Sequence, residues 1–288
     1  MTRLLTAIVP IIWGTTYIVT TDVLPPGRPL LAGLMRALPA GLLLLLIFRR
    51  LPYGAWWYKS AALGAANIGG FFAFLFLAAY LLPGGVASIV TNTAPLWVIA
   101  LSPIMLGTSM KLRQIIGAGI AVLGVGALVL TPSSHLNMAG VAAGLAASVC
   151  MATGIVLAKK WGKPEGTPLL AVTGWQLTLG GLLLLPPMLL IEGVPESLTA
   201  ANWAGYAYLT IFGALIAYGL WFNGIAKLDV VQVAILSVLS PVTATLLGVV
   251  VKGEELSAVQ WAGVAAVLVA LVAVQTEGMG KRAAARRG

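Results

Sequence analysis

Charge is what this chain of 288 residues has least of: 9% of it is Asp, Glu, Lys or Arg, against 60% hydrophobic residues, and the mean hydropathy is +1.00. So little polar surface cannot cover a water-soluble globule. A single cysteine, Cys150, excludes both a disulfide framework and a thiolate metal cluster. The single histidine, His135, falls in a short connection, where a lone imidazole carries no chemistry. The acids are few as well, and Asp22, Asp229, Glu254, Glu255 and the rest lie at the ends of apolar runs, in connections or in the tail. Without clustered acids, bases or ligands there is no catalytic inventory, so no catalytic residue, metal site or cofactor is expected.

What the chain has instead is apolar runs near the ~20 residues that a helix needs to cross hydrocarbon. They fall at 5–22, 29–48, 60–82, 84–107, 112–131, 138–159, 168–191, 203–224, 229–251 and 256–276. The runs are apolar all round, whereas lipid-spanning strands alternate, so the expected class is an all-α, polytopic membrane protein. The net charge of +9 does not point to nucleic acid, because the basic residues sort by membrane side. With the N-terminus inside, one face holds Arg3, Arg49, Arg50, Lys59, Lys111, Arg113, Lys159, Lys160, Lys163, Lys227, Lys281, Arg282, Arg286 and Arg287. The other face keeps Arg28 and Lys252, with Arg36 inside the second run. Both termini are therefore expected to be cytoplasmic. The first run is not read as a cleaved signal, because residues 20–26 offer no small-x-small site and its removal would reverse the charge asymmetry.

The chain also echoes itself. Pro95, Gly107, Gln114, Gly117 and Ala127 recur as Pro241, Gly253, Gln260, Gly263 and Ala273, each 146 residues on. Upstream, PLLA at 29–32 recurs at 168–171 and Gly41 recurs as Gly180, at an offset of 139. Ten runs in two copies leave five per copy, and an odd number forces the second copy to enter the membrane from the opposite face. The expected architecture is ten transmembrane helices in two inverted five-helix repeats around a central cavity: 1–131, 138–276, and a basic cytoplasmic tail at 277–288. Inverted repeats of this kind alternate access to a site near the bilayer midplane.

Several of these residues resemble the EamA-type transporters of the drug/metabolite transporter superfamily. Trp13-Gly14-Thr15 is similar to that family's first-helix pattern and Arg36 to the arginine opening its second helix. Pro95 and Pro241 match its helix-interrupting prolines, and Gly253-Glu254 with Gln260 and Gly263 its last interhelical segment. Gly107-Thr108 departs from the Gly-Glu pattern in the first half, so no role for an acid carries over there. Within the family the chain looks most like the YddG-type exporters of aromatic amino acids. The resemblance implies a ten-helix basket, efflux, a bacterial inner-membrane location and small amphipathic metabolites such as amino acids as cargo. The partners expected are that cargo and the lipid bilayer, with a monomer possible. Multidrug or other metabolite export on the same frame is the alternative.

Arg36 lies seven residues into its run, about 10 Å deep at 1.5 Å per residue. An arginine at a helix centre costs ~2.5–3.5 kcal/mol on insertion scales, so it needs an acceptor. Two readings stand: an anchor for a substrate carboxylate, or an interhelical tie to Asp22, to carbonyls or to outer headgroups. Pro95 and Pro241 withhold amides from the carbonyls of Thr91 and Ser237, predicting paired kinks that act as hinges or as packing features. Ser88, Thr91, Asn92 and Pro95 share one helix face, as do Ser237, Ser240 and Pro241. Trp13, Tyr17, Trp97 and Trp175 fall within spans and are cargo-stacking candidates or simply packing, whereas Tyr80, Tyr218 and Trp221 fall nearer span ends. The candidate substrate set is thus Trp13, Tyr17, Arg36, Thr91, Asn92, Trp97, Trp175, Ser237 and Ser240, with Pro95 and Pro241 as hinges.

Proton coupling normally uses an intramembrane carboxylate or histidine, and these spans hold neither at their centres. Cargo flux is therefore expected to persist in proteoliposomes whose pH gradient has been collapsed; strict dependence on that gradient would contradict the reading.

Overall fold

The computed structural model describes residues 1–108, 112–129, 136–228, 233 and 236–276. The tail 277–288, Lys111, His135 and Asp229 lie outside them. The described helices, in chain order, are α1 Thr2–Asp22, α2 Pro29–Phe48, α3 Trp56–Leu81, α4 Gly84–Leu106, α5 Leu112–Val129, α6 Met138–Trp161, α7 Leu169–Glu192, α8 Ala200–Gly224, α9 Leu239–Lys252 and α10 Ala258–Thr276. Seven of these, α1 to α4 and α6 to α8, are long and apolar enough to cross a bilayer. Among the described residues α5, α9 and α10 carry shorter apolar stretches.

Lipid supplies no hydrophobic drive between helices, so close association depends on small residues that let backbones approach. Glycines mark the seam of α2 with α7. A Cβ on Gly41 would lie 2.5 Å from the Thr178 amide nitrogen, one on Gly181 2.9 Å from the Leu38 Cβ, and one on Gly174 2.8 Å from the Leu44 Cβ. Residue numbers fall on one helix as they rise on the other, so α2 and α7 run antiparallel. Gly14 of α1 meets Ser240 and Thr243 of α9; Gly140 and Gly144 of α6 meet Leu82 and Val90; Gly124 of α5 meets Gly263 and Val267 of α10. These small-residue faces pack within the chain.

Three of the described rods carry π-helical turns: Ala65–Gly70 in α3, Ile211–Ile216 in α8, and Met188–Glu192 at the end of α7. Each residue of the first has its counterpart 146 positions later, the offset of the sequence echo. The same offset links the left-handed glycines that end α4 and α9, Gly107 at φ 66° and Gly253 at φ 65°. It also links the interruptions in front of the two prolines. The helix of α4 stops at Thr91 and resumes at Ala94 after Asn92 and Thr93, and Val238 makes the matching turn before α9. Pro95 and Pro241 thus sit in the first turn of a new segment, where no amide is missed, rather than bending a continuous helix. The interruptions fall between the carbonyls of Thr91 and Ser237 and the prolines that follow, as discrete turns in place of smooth bends.

The scarce carboxylates close the end of the bundle that carries Asp22 and Lys252. Glu192, ending α7, accepts from the amides of Leu30 (2.6 Å) and Leu31 (2.9 Å) at the start of α2, where the helix dipole favours negative charge. Glu254 accepts from the Gly84 amide (3.0 Å) at the start of α4. Asp22 pairs with Lys252, and Arg28 donates to the carbonyls of Glu192 and Gly193. At that end Asn202 also donates to the Val23 carbonyl.

Gly41→Val places branched carbons against the Thr178 backbone and is expected to destabilise by about 1–3 kcal/mol, the range for overpacking. Gly219→Ala, which meets nothing within 4 Å, should leave stability unchanged or slightly raised. Thermal unfolding in detergent measures both.

Candidate functional site

The deepest charge in the described structure is Arg36, buried to 4% exposure on α2. One terminal nitrogen donates to the Gly213 carbonyl at 3.1 Å and the other to the Thr16 hydroxyl at 3.3 Å. The guanidinium carbon lies 4.7 Å from the centroid of the Phe72 ring, a cation–π contact. Its Nε is buried without a partner, and no carboxylate pairs with it among the described residues. Asp22, one of the expected partners, is occupied by Lys252. The tie that forms is to a backbone carbonyl.

That carbonyl belongs to a π turn, a feature that disturbs the helical hydrogen-bond ladder and is frequent at functional sites. Gly213 also accepts from the indole nitrogen of Trp13 at 3.0 Å. A Cβ at Gly213 would stand 3.7 Å from the guanidinium atoms, an ordinary van der Waals contact. Two cationic or polar donors from α1 and α2 thus converge on one carbonyl of α8.

Aromatic rings surround this point. Trp13 meets Trp221 edge-on at 5.3 Å and Tyr218 at 6.1 Å. Tyr218 stacks on Phe222, and the Tyr208 hydroxyl bonds Thr15 at 2.7 Å. Tyr218 and Trp221 were expected nearer a span end; the antiparallel packing of α8 on α1 brings them beside Trp13. Sequence reading missed Thr16, Phe72, Tyr208 and Gly213. The only signal available for Gly213 was its 146-residue relation to Asn67 in the other half.

Tyr17, one turn from Trp13, is 3% exposed and its hydroxyl lies 2.6 Å from that of Thr91. Thr91 donates to the carbonyls of Ala87 and Ser88, so Tyr17 is the donor in their bond. The Asn92 amide donates to the Ser88 carbonyl at 2.8 Å, at the break in α4. Ser240 is buried where Gly14 approaches α9, beside Pro241. Ser237, half-buried, precedes the turn at Val238.

Two candidates stand apart. Trp175 is fully enclosed with Trp56 and Val172, and its indole donates to the Arg50 carbonyl at 2.7 Å, near the opposite end of α2 from Arg28. Trp97 is 36% exposed and makes no ring contact with the described aromatics of the Arg36 cluster. The surface hollows beside Arg49 and Arg50 and beside Glu254 and Glu255 do not include Arg36, which is enclosed by side chains in this conformation.

The EamA-like transporter family matches twice, at residues 2–130 and 138–276. The chain is similar to Protein PecM of Dickeya dadantii, 46% identical over 92% of this chain and 89% of that protein. It is 28% identical to a Salmonella typhimurium protein named a probable amino-acid metabolite efflux pump, over 93% of this chain and 92% of that one. It is also 28% identical to the uncharacterized inner membrane transporter YedA of Escherichia coli, over 92% and 87%. A solved structure titled only as the crystal structure of a protein shares the fold, with TM-score 0.63 and 22% identity over 96% of this chain and 98% of that one.

Tyr17→Phe removes one interhelical bond while Thr91 keeps its own acceptors. The expected loss is about 0.6 kcal/mol, the average for such bonds in membranes, read as a small change in detergent unfolding.

Proposed function

The chain belongs to the EamA-like transporter family, and from that membership we propose that it exports amino acids, aromatic ones included. It is a multi-pass membrane transporter, not an enzyme, working on a small-molecule substrate in a lipid environment. In this reading residues 1–131 and 138–276 are two inverted five-helix repeats around a central cavity, and 277–288 is a basic cytoplasmic tail. The antiparallel run of α2 against α7 supports the inversion, since these are corresponding helices. So does the recurrence of π turns, left-handed caps and helix breaks at one offset. The protein lies in a bacterial inner membrane with both termini cytoplasmic, as the charge asymmetry favours.

The observation that carries the amino-acid reading is Arg36: a buried guanidinium with an unpaired Nε, no carboxylate partner among the described residues, and a wall of aromatic rings. An uncompensated buried cation is costly, and a carboxylate ligand relieves it with charge-assisted hydrogen bonds. The rings offer an aromatic cargo apolar burial and offset or edge contacts. The name of the Salmonella relative points the same way. Export then proceeds by alternating access about the interruptions at Asn92–Thr93 and Val238, with Pro95 and Pro241 stiffening the segments that follow. No span centre supplies an acid to bind a coupling proton, so passage is driven by the cargo gradient.

Arg36→Gln tests the anchor. Loss of a charged hydrogen-bond partner is worth about 1.5–3 kcal/mol, so half-saturation for phenylalanine in proteoliposomes is expected to rise about 10- to 100-fold. Phenethylamine, which lacks the carboxylate, should be little affected. Equal transport of cationic drugs and no preference for amino acids would favour the multidrug alternative.

A further inference from the structure

The contact between Arg36 and Gly213 has a counterpart in the other half of the molecule. In the α2–α7 seam Gly41 meets the Thr178 amide as Gly181 meets that of Leu38, a packing register of 140 that sets Gln176 where Arg36 stands, one residue beyond Trp175, its partner by the 139-residue sequence offset. Gly213 lies in the π turn of α8; 146 residues earlier, in the π turn of α3, is Asn67. Gln176 and Asn67 touch: the Asn67 amide nitrogen donates to the Gln176 side-chain oxygen at 3.0 Å. One architectural contact therefore carries a guanidinium on a carbonyl in one half and a pair of side-chain amides in the other.

The second niche is built rather than incidental. Gly154 of α6 leaves room for the Asn67 head, since a Cβ there would collide with the Asn67 side-chain oxygen. Both amides are half-buried at membrane depth, where polar groups are rare and an unpaired one is costly. The Asn67 Oδ1 is nonetheless buried with no partner, as the Arg36 Nε is. The two orphans have opposite character. Arg36 keeps a spare donor and suits an acceptor; Asn67 keeps a spare acceptor and suits a donor.

We propose that Asn67 and Gln176 form a second cargo contact, on the cytoplasmic side of Arg36, that takes the hydrogen-bond-donating ammonium head of an amino acid. The inference rests on the inverted-repeat, amino-acid reading above, which sets the two stations at matching depths from opposite faces. Arg36 stands about 10 Å inside one boundary and Gln176 about 10 Å inside the other, leaving roughly 10 Å between them in a hydrocarbon core of ~30 Å. An ammonium and a carboxylate on one α-carbon cannot span that gap, so the stations are used in succession: Asn67 and Gln176 on entry from the cytoplasm, Arg36 on the way out.

Half-saturating phenylalanine concentrations, measured from each face of oriented proteoliposomes, separate this from a structural tie. Asn67→Ala is expected to raise the value about tenfold from the cytoplasmic face, the loss of one hydrogen bond to a charged group, and by less than about twofold from the outer face. Gln176→Met, close in length, should repeat the pattern if Asn67→Ala does not fold, and Arg36→Lys should show the reverse asymmetry. Equal changes on both faces, or none in a folded variant, would overturn the proposal while leaving the amino-acid reading standing. Wild-type protein that moves no phenylalanine would remove that reading and this inference with it.

Discussion

A guanidinium held inside a bilayer has no water to turn to, so its partners must come from the protein. Arg36 meets this constraint through a carbonyl that an ordinary α-helix would keep for its own ladder. The π turn at Ile211–Ile216 presents Gly213 to it. Trp13 joins at the same oxygen, which ties α1, α2 and α8 at one point. The remaining Nε and the absence of a paired carboxylate among the described residues leave the charge incompletely compensated.

Around this point the fold is assembled by contact rather than by hydrophobic drive. Glycines at the seams of α2 with α7, α1 with α9, α4 with α6 and α5 with α10 bring backbones within reach. These seams pair elements of the first half with elements of the second, so relative movement of the halves must slide or open them. The breaks at Asn92–Thr93 and Val238 fall on the two elements that face α6 and α1 across such seams.

The few acids serve the ends of the bundle. Glu192 and Glu254 cap the amide-rich starts of α2 and α4, and Asp22 meets Lys252. Each bond joins the first half to the second, so that end is latched in this conformation. Thr108 stands where a second glutamate would complete the pattern by repeat, and the latch is accordingly one-sided.

The sequence by itself determined the class of this protein, because hydropathy and the rule that backbone groups must be satisfied within lipid leave few solutions. It determined the internal echo too, since Pro95 and Pro241 or Gly107 and Gly253 are local features that recur wherever the backbone needs them. It marked Arg36 as costly, and Trp13, Tyr17 and Thr91 as candidate substrate residues. Only the tertiary structure decided what Arg36 holds. The π turns carry no composition signal, and the helix-to-helix contacts that set Gly213, Tyr218 and Trp221 beside Trp13, and Gln176 beside Asn67, join residues far apart in the chain. Trp175 shows the same limit from the other direction: an aromatic in a span reads alike whether it faces a cargo or, as here, is enclosed with its indole on the Arg50 carbonyl. Side-chain type fixes what a residue can bind, but packing between distant helices fixes what it meets.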